Sequence, residues 1–213
     1  MRTKVAILCG SWTVSALGAA CPAGMVRVND TVCIDRYEWV GFNSRAWARP
    51  LLAMSGLPEP WFSDGPATDA NSACLMRGAR ICTLEEWQAA CVGDGGTKYP
   101  YGSHYDATAC NTNKPWRAFD EKKVWKRDAA ELARLDQSEP VGSYPRCVSA
   151  VGAYDMLGNA EEWVQCEKGR FGWCLAGGFW SKPRTCSEAV IVHAPYWHFY
   201  DTGARCCMDT EKS

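Results

Sequence analysis

Short apolar segments broken by turn residues dominate the chain, and long periodic stretches are few. Val26-Arg27-Val28 and the run Val32 to Glu38 read as two short strands around a turn at Asn29-Asp30. The Pro- and Gly-rich stretch from Pro50 to Pro66 reads as a long loop. Asp69 to Arg77 is predicted helical, with Gly78 suited to stop it. Thr83-Leu84-Glu85-Glu86 spells a capping box, in which a hydroxyl and a carboxylate satisfy each other's free N–H, so a helix should run from Leu84 to Cys91 and end at Gly93. Asp94 to Asn113 lacks a period and reads as loop, whereas Phe119 to Leu135 predicts one exposed amphipathic helix. Its cluster Lys122, Lys123, Lys126 and Arg127 is interleaved with acids, the mark of a solvated helix face. Val141 to Met208 predicts short strands between Gly-rich turns, and Cys21 to Ser213 is expected to form one domain.

The N-terminus changes that picture. A basic start (Met1-Arg2-Thr3-Lys4), an uncharged run from Val5 to Leu17 and Gly18-Ala19-Ala20 before Cys21 describe a secretory signal peptide of residues 1–20. The run is shorter than the roughly 20 apolar residues of a spanning helix, and no second run occurs, so no transmembrane segment is expected. Lys plus Arg is 23 against 24 Asp plus Glu, a balance that argues against nucleic acid as a partner. Thirteen cysteines without a C-x-x-C pair point to disulfides in an oxidising compartment, periplasmic or extracellular. With Cys9 lost in the leader, the other twelve form an even set. Acylating Cys21, as in an outer-membrane lipoprotein, would strand one thiol, so a bridge at Cys21 is favoured over a lipid anchor.

Several segments, read in order, carry a resemblance. They are Val32-Cys33-Ile34-Asp35-Arg36-Tyr37-Glu38, Gly78-Ala79-Arg80-Ile81-Cys82-Thr83-Leu84-Glu85-Glu86-Trp87, Tyr99-Pro100-Tyr101-Gly102 and Val141-Gly142-Ser143-Tyr144-Pro145. Gly152-Ala153-Tyr154-Asp155-Met156-Leu157-Gly158-Asn159-Ala160-Glu161-Glu162-Trp163, Ala176-Gly177-Gly178-Phe179-Trp180 and Gly203-Ala204-Arg205-Cys206 follow. Together they resemble the formylglycine-generating enzyme (sulfatase-modifying factor) family. The resemblance implies an α+β, C-type-lectin-like fold with much irregular structure. It also implies bridges Cys74–Cys206 and Cys91–Cys186. Spacing leaves the connectivity open, and elimination with proximity suggests Cys21–Cys33, Cys110–Cys147, Cys166–Cys174 and Cys82–Cys207.

The resemblance further implies calcium at Asp155, Gly158, Ala160 and Glu162, two carboxylates and two carbonyls of the hard-oxygen type that calcium takes. Asn111 and the Thr112 carbonyl match half of a second site, whose other half, Asp120 or Asp136, stays open. The family's best-known member oxidises a cysteine to formylglycine with copper(I) on two cysteines. Here Phe179 to Thr185, the matching stretch, contains none, and Ser181 and Thr185 are hard donors, so copper is not expected. Iron is not expected either, because the chain offers only His104, His193 and His198, the last two five residues apart. Trp173, Trp180, Tyr196, Trp197, Phe199 and Tyr200 gather toward the family's substrate groove. With Ser181, Lys182 and Arg184 they suggest a surface for a peptide or glycan ligand. A calcium-stabilised binding module is thus the first expectation, and a metal-dependent oxidoreductase of the same superfamily the alternative.

Overall fold

A computed structural model describes residues 20–38, 67–126, 128–197 and 199–210, with the side chain of Asp69 excluded. The predicted leader up to Ala19, the Pro50–Pro66 loop, Arg127 and His198 lie outside the described residues. Among the described residues no helix is long and apolar enough to cross a membrane.

Strands β1 (Met25–Arg27) and β2 (Val32–Asp35) form the expected hairpin. Helix α1 (Ala67–Met76) leads through a Gly78 turn into β3 (Arg80–Ile81). Helix α2 (Leu84–Val92) begins with the predicted capping box: Thr83 Oγ1 accepts from Glu86 N at 3.2 Å, and Glu86 accepts from Thr83 N at 2.8 Å. Its buried face, Leu84, Trp87, Ala90 and Cys91, recurs at helical spacing and seats it in the main core.

The single helix expected over Phe119 to Leu135 is two: α3 (Glu121–Trp125) and α4 (Ala129–Leu135). Asp120 accepts from Lys123 N, and Asp128 accepts from Glu131 N. Asp128 thus begins a second helix where the first would have continued, since a short carboxylate in a helix interior competes for backbone N–H groups.

Strands β4 (Glu161–Gln165), β5 (Trp173–Ala176), β6 (Gly178–Phe179), β7 (Lys182–Pro183), β8 (Ala189–Val190), β9 (Thr202–Ala204) and β10 (Cys206–Asp209) complete the chain. One sheet runs β1-β2-β10-β3, a second β8-β5-β4-β9, and β6 pairs with β7 as a hairpin. The β4–β9 pair is parallel; every other strand pair is antiparallel. The chain leaves the second sheet at Ala204 and enters the first at Cys206, so Arg205 sits at the crossing, 1% exposed.

The bridges are Cys21–Cys33, Cys74–Cys206, Cys82–Cys207, Cys91–Cys186, Cys110–Cys147 and Cys166–Cys174, the six pairs named from the sequence. The Cys21 sulfur is bonded to Cys33, the bridge favoured from the sequence. Three bridges span 132, 125 and 95 residues. On the loop-closure account each limits the unfolded chain by about 4 to 5 kcal/mol, which matters for strands of two to five residues. Short strands, few helices and this cross-linking are the mixed α/β architecture expected of a C-type-lectin-like fold.

Candidate ligand-binding cleft

Consecutive residues of a strand point to opposite faces, and Glu161 and Glu162 at the start of β4 divide the molecule's chemistry between them. Glu162 turns into the core. Its Oε2 accepts from Trp87 Nε1 at 2.6 Å and from Arg205 Nε at 2.7 Å, and its Oε1 from Arg205 Nη2 at 2.5 Å. Arg205 also donates to the carbonyls of Asp35 and Tyr154, so the guanidinium clamps both sheets.

Two more acids lie near that guanidinium. Glu38, 2% exposed, accepts from Ala160 N at 3.0 Å and from Asn159 Nδ2 at 2.7 Å. Burial, then the charges of Asp155 and Glu162, push its carboxyl well above the usual range. Asp155 accepts from Gly142 N at 2.6 Å, and burial pushes it up to about 6. At three of the expected calcium positions the structure shows bonds to protein groups. Glu162 faces Arg205, Asp155 caps Gly142, and Ala160 N is held by Glu38, a residue not singled out as a ligand. Gly158 sits at φ +77°, and a Cβ there would lie within 2.3 Å of Asn111 O, so this close approach requires glycine. Asn111 Nδ2 donates to Asn159 Oδ1 and to Gln137 O, whereas Asn111 Oδ1 is buried with no partner among the described residues. Thr112 is buried beside it. Among the described residues no group of three or more His, Cys, Asp or Glu side chains is arranged to hold a metal.

Glu161 turns the other way, into a cleft of about 420 Å³. The β6–β7 hairpin supplies one wall, and its tightness depends on Gly178, where a Cβ would come within 2.3 Å of Lys182 O. Phe179 from this hairpin, Trp116 and Phe119 from the segment before α3, and Trp197 and Phe199 from the segment before β9 give the cleft its aromatic lining. Their rings interlock: Phe119 meets Phe199 edge-on at 4.9 Å, and Trp197 stacks between His193 at 3.7 Å and Phe199 at 5.1 Å. Burial, with the nearby Arg184 charge, lowers the His193 pKa and favours the neutral ring.

The polar groups of the cleft are Glu161, Asp201, Glu121, Lys182 and Arg184. Arg184 Nε donates to Glu161 Oε1 at 2.8 Å, a half-buried pair. Asp201 has no such partner. It is 4% exposed, its Oδ1 is unpartnered among the described residues, and burial followed by the Glu161 charge holds its carboxyl well above the usual range.

Of the predicted groove residues, Lys182, Arg184, Trp197 and Phe199 line the cleft; Trp173, Trp180, Ser181, Tyr196 and Tyr200 do not. Trp180 is fully buried between Phe179 and Tyr200, and Trp173 packs edge-on against Trp163 at 6.5 Å. Glu161, Asp201, Trp116 and Phe119 were not identified from sequence; strand alternation at Glu161-Glu162 was the one available signal.

The family model described as "Sulfatase-modifying factor enzyme 1-like domain" matches residues 66–207. The chain is 31% identical over 132 residues to the inactive C-alpha-formylglycine-generating enzyme 2 of Bos taurus, covering 59% of this chain and 40% of that protein. It is 27% identical over 158 residues to the hercynine oxygenase of Mycolicibacterium smegmatis, covering 61% of this chain and 31% of that one. The chain thus spans less than half the length of these curated relatives. Among solved structures, CarF superposes with a TM-score of 0.56 at 19% identity over 84% of this chain and 87% of CarF. Treponema denticola variable protein 1 gives 0.57 at 14% identity over 89% and 92%. These likenesses show a shared fold.

Proposed function

The chain belongs to the sulfatase-modifying factor enzyme family, and from that premise we propose that it is an exported ligand-binding member whose cleft takes a peptide or glycan and performs no copper-dependent oxidation. One observation carries this reading: every cysteine among the described residues is bridged, and none falls between Phe179 and Thr185. Copper(I) requires soft thiolate donors, and a sulfur held in a bridge supplies none. Six bridges also suit an oxidising compartment, which supports export. In the test, the purified protein is loaded with copper(I) and given a sulfatase-derived cysteine peptide under air. The expected result is peptide of unchanged mass; conversion to the aldehyde would sink the reading.

Calcium acts in this proposal as structural support at Asn111. The buried, unpartnered Oδ1 is the kind of hard donor it takes, and the Thr112 carbonyl is the second donor. Asp155 and Glu162 are already engaged by protein groups. Calcium should raise the thermal midpoint of the wild type over that in chelator and leave Asn111→Ala unmoved. An equal rise in both proteins would rule the Asn111 site out.

A second reading, a protein-modifying oxidase with a divergent site, draws on the similarity to hercynine oxygenase and on His193 in the cleft. Oxygen uptake that survives calcium chelation and is lost in His193→Ala would favour it.

A further inference from the structure

Asp201 precedes β9, and its main-chain oxygen accepts from Glu161 N at 2.8 Å, opening the parallel β4–β9 pair. The sheet thus fixes the backbone at Asp201, a residue that is 4% exposed and contributes to the cleft lining. Three buried side-chain atoms lack a partner among the described residues: Asn111 Oδ1, Trp163 Nε1 and Asp201 Oδ1. Of the three, Asp201 alone contributes to the cleft, and it alone is an acid. An unpaired buried carboxylate oxygen is costly to maintain. The fold nevertheless keeps it at the base of an aromatic-walled cavity.

The neighbouring charges narrow what could satisfy it. Arg184 is already engaged by Glu161 at 2.8 Å, and Lys182 lies exposed on the β6–β7 hairpin. Burial keeps His193 from adding a positive charge. An anion entering the cleft would meet Asp201 and Glu161; of the two cations whose charges act on these acids, Arg184 is paired with Glu161 and Lys182 lies at the exposed wall. A cation would meet an acceptor without a donor, among aromatic side chains. Phe119, Phe179, Trp197 and Phe199 offer apolar contact along the way in, which suits a methylene stem better than a ring of hydroxyls.

We propose that the cleft receives the side chain of a peptide lysine, its methylenes between the aromatic walls and its ammonium on Asp201. The inference rests on the reading of the cleft as a ligand site and specifies its occupant. No bond is made or broken; Asp201 acts as a counter-ion.

The experiment uses the full exported chain and follows tryptophan fluorescence during titration with three probes: a capped Ala-Lys-Ala peptide, the same peptide with its lysine acetylated, and glucosamine. The lysine peptide should bind, and acetylation should weaken it about tenfold or more, because the charge-assisted contact is lost. Asp201→Asn should remove that preference while Trp197→Ala weakens both peptides alike. Equal binding of the two peptides to the wild type, or a preference that survives in Asp201→Asn, would overturn the assignment. So would glucosamine binding more tightly than the lysine peptide, which would give the site to amino sugars, or no binding of any probe to folded protein. If Asp201→Asn does not fold, the acetylation comparison on the wild type decides. The copper and cysteine-peptide assay reads the broader proposal independently of every one of these outcomes.

Discussion

The core around Arg205 and the cleft around Asp201 treat a buried charge in opposite ways. Arg205 is completely enclosed and satisfied: two bonds to Glu162, one each to the carbonyls of Asp35 and Tyr154, and further buried acids nearby. Asp201 is almost as deeply enclosed and keeps an oxygen with no partner among the described residues. The two positions are four residues apart, on either side of β9. Burial alone therefore does not distinguish a structural charge from a functional one. Completeness of pairing does: the satisfied ion fixes the crossing between two sheets, and the unsatisfied one waits for a ligand.

Breaking the paired side should have the largest effect. Arg205→Ala leaves Glu162 buried beside Glu38 and Asp155 with no cation, and should cost about 3 to 5 kcal/mol in denaturant unfolding. A loss below about 1 kcal/mol would mean that the clamp is dispensable.

Acidity should sharpen the same contrast by a smaller amount. Asp155 is pushed up to about 6, and Glu38 is raised as well, so the folded state retains protons that the unfolded chain releases near pH 4. Stability should then fall as pH rises from about 4 to about 6, by about 2 kcal/mol for a shift of this size. Asp106 and Glu131, lowered to about 2 by their hydrogen bonds and arginine partners, act with the opposite sign from about pH 5 downward and so offset part of the slope at its acid end. Unfolding midpoints at pH 4.5 and 7 check the slope, and Asp155→Asn should flatten part of it. A midpoint higher at pH 7 would contradict the assignment.

Much of the framework was legible because it is local. The Thr83–Glu86 capping box, the β1–β2 hairpin and the Gly78 turn each depend on residues a few positions apart. The 119–135 segment was misread because its charge pattern fits one helix or two, and the capping role of Asp128 appears only when the backbone turns there. The cleft was legible in part. Lys182, Arg184 and Trp197 lie in the segment that the resemblance marked, but Trp116, Glu161 and Asp201 reach the same space from distant stretches of chain. Trp180 and Trp173 lie elsewhere for the converse reason: composition gives the number of indoles, and only packing puts Trp180 in the core and Trp173, half-buried, against Trp163.

The smallest expected change is the most informative. Asp201→Asn keeps the shape and replaces a buried carboxyl whose Oδ1 no group among the described residues satisfies, so thermal unfolding of the ligand-free variant should occur at the wild-type temperature or slightly above it. That result identifies Asp201 as a residue held against the interest of the fold for the sake of a ligand. A midpoint several degrees lower would show that the carboxylate supports the fold after all, and the contrast with Arg205 would be lost.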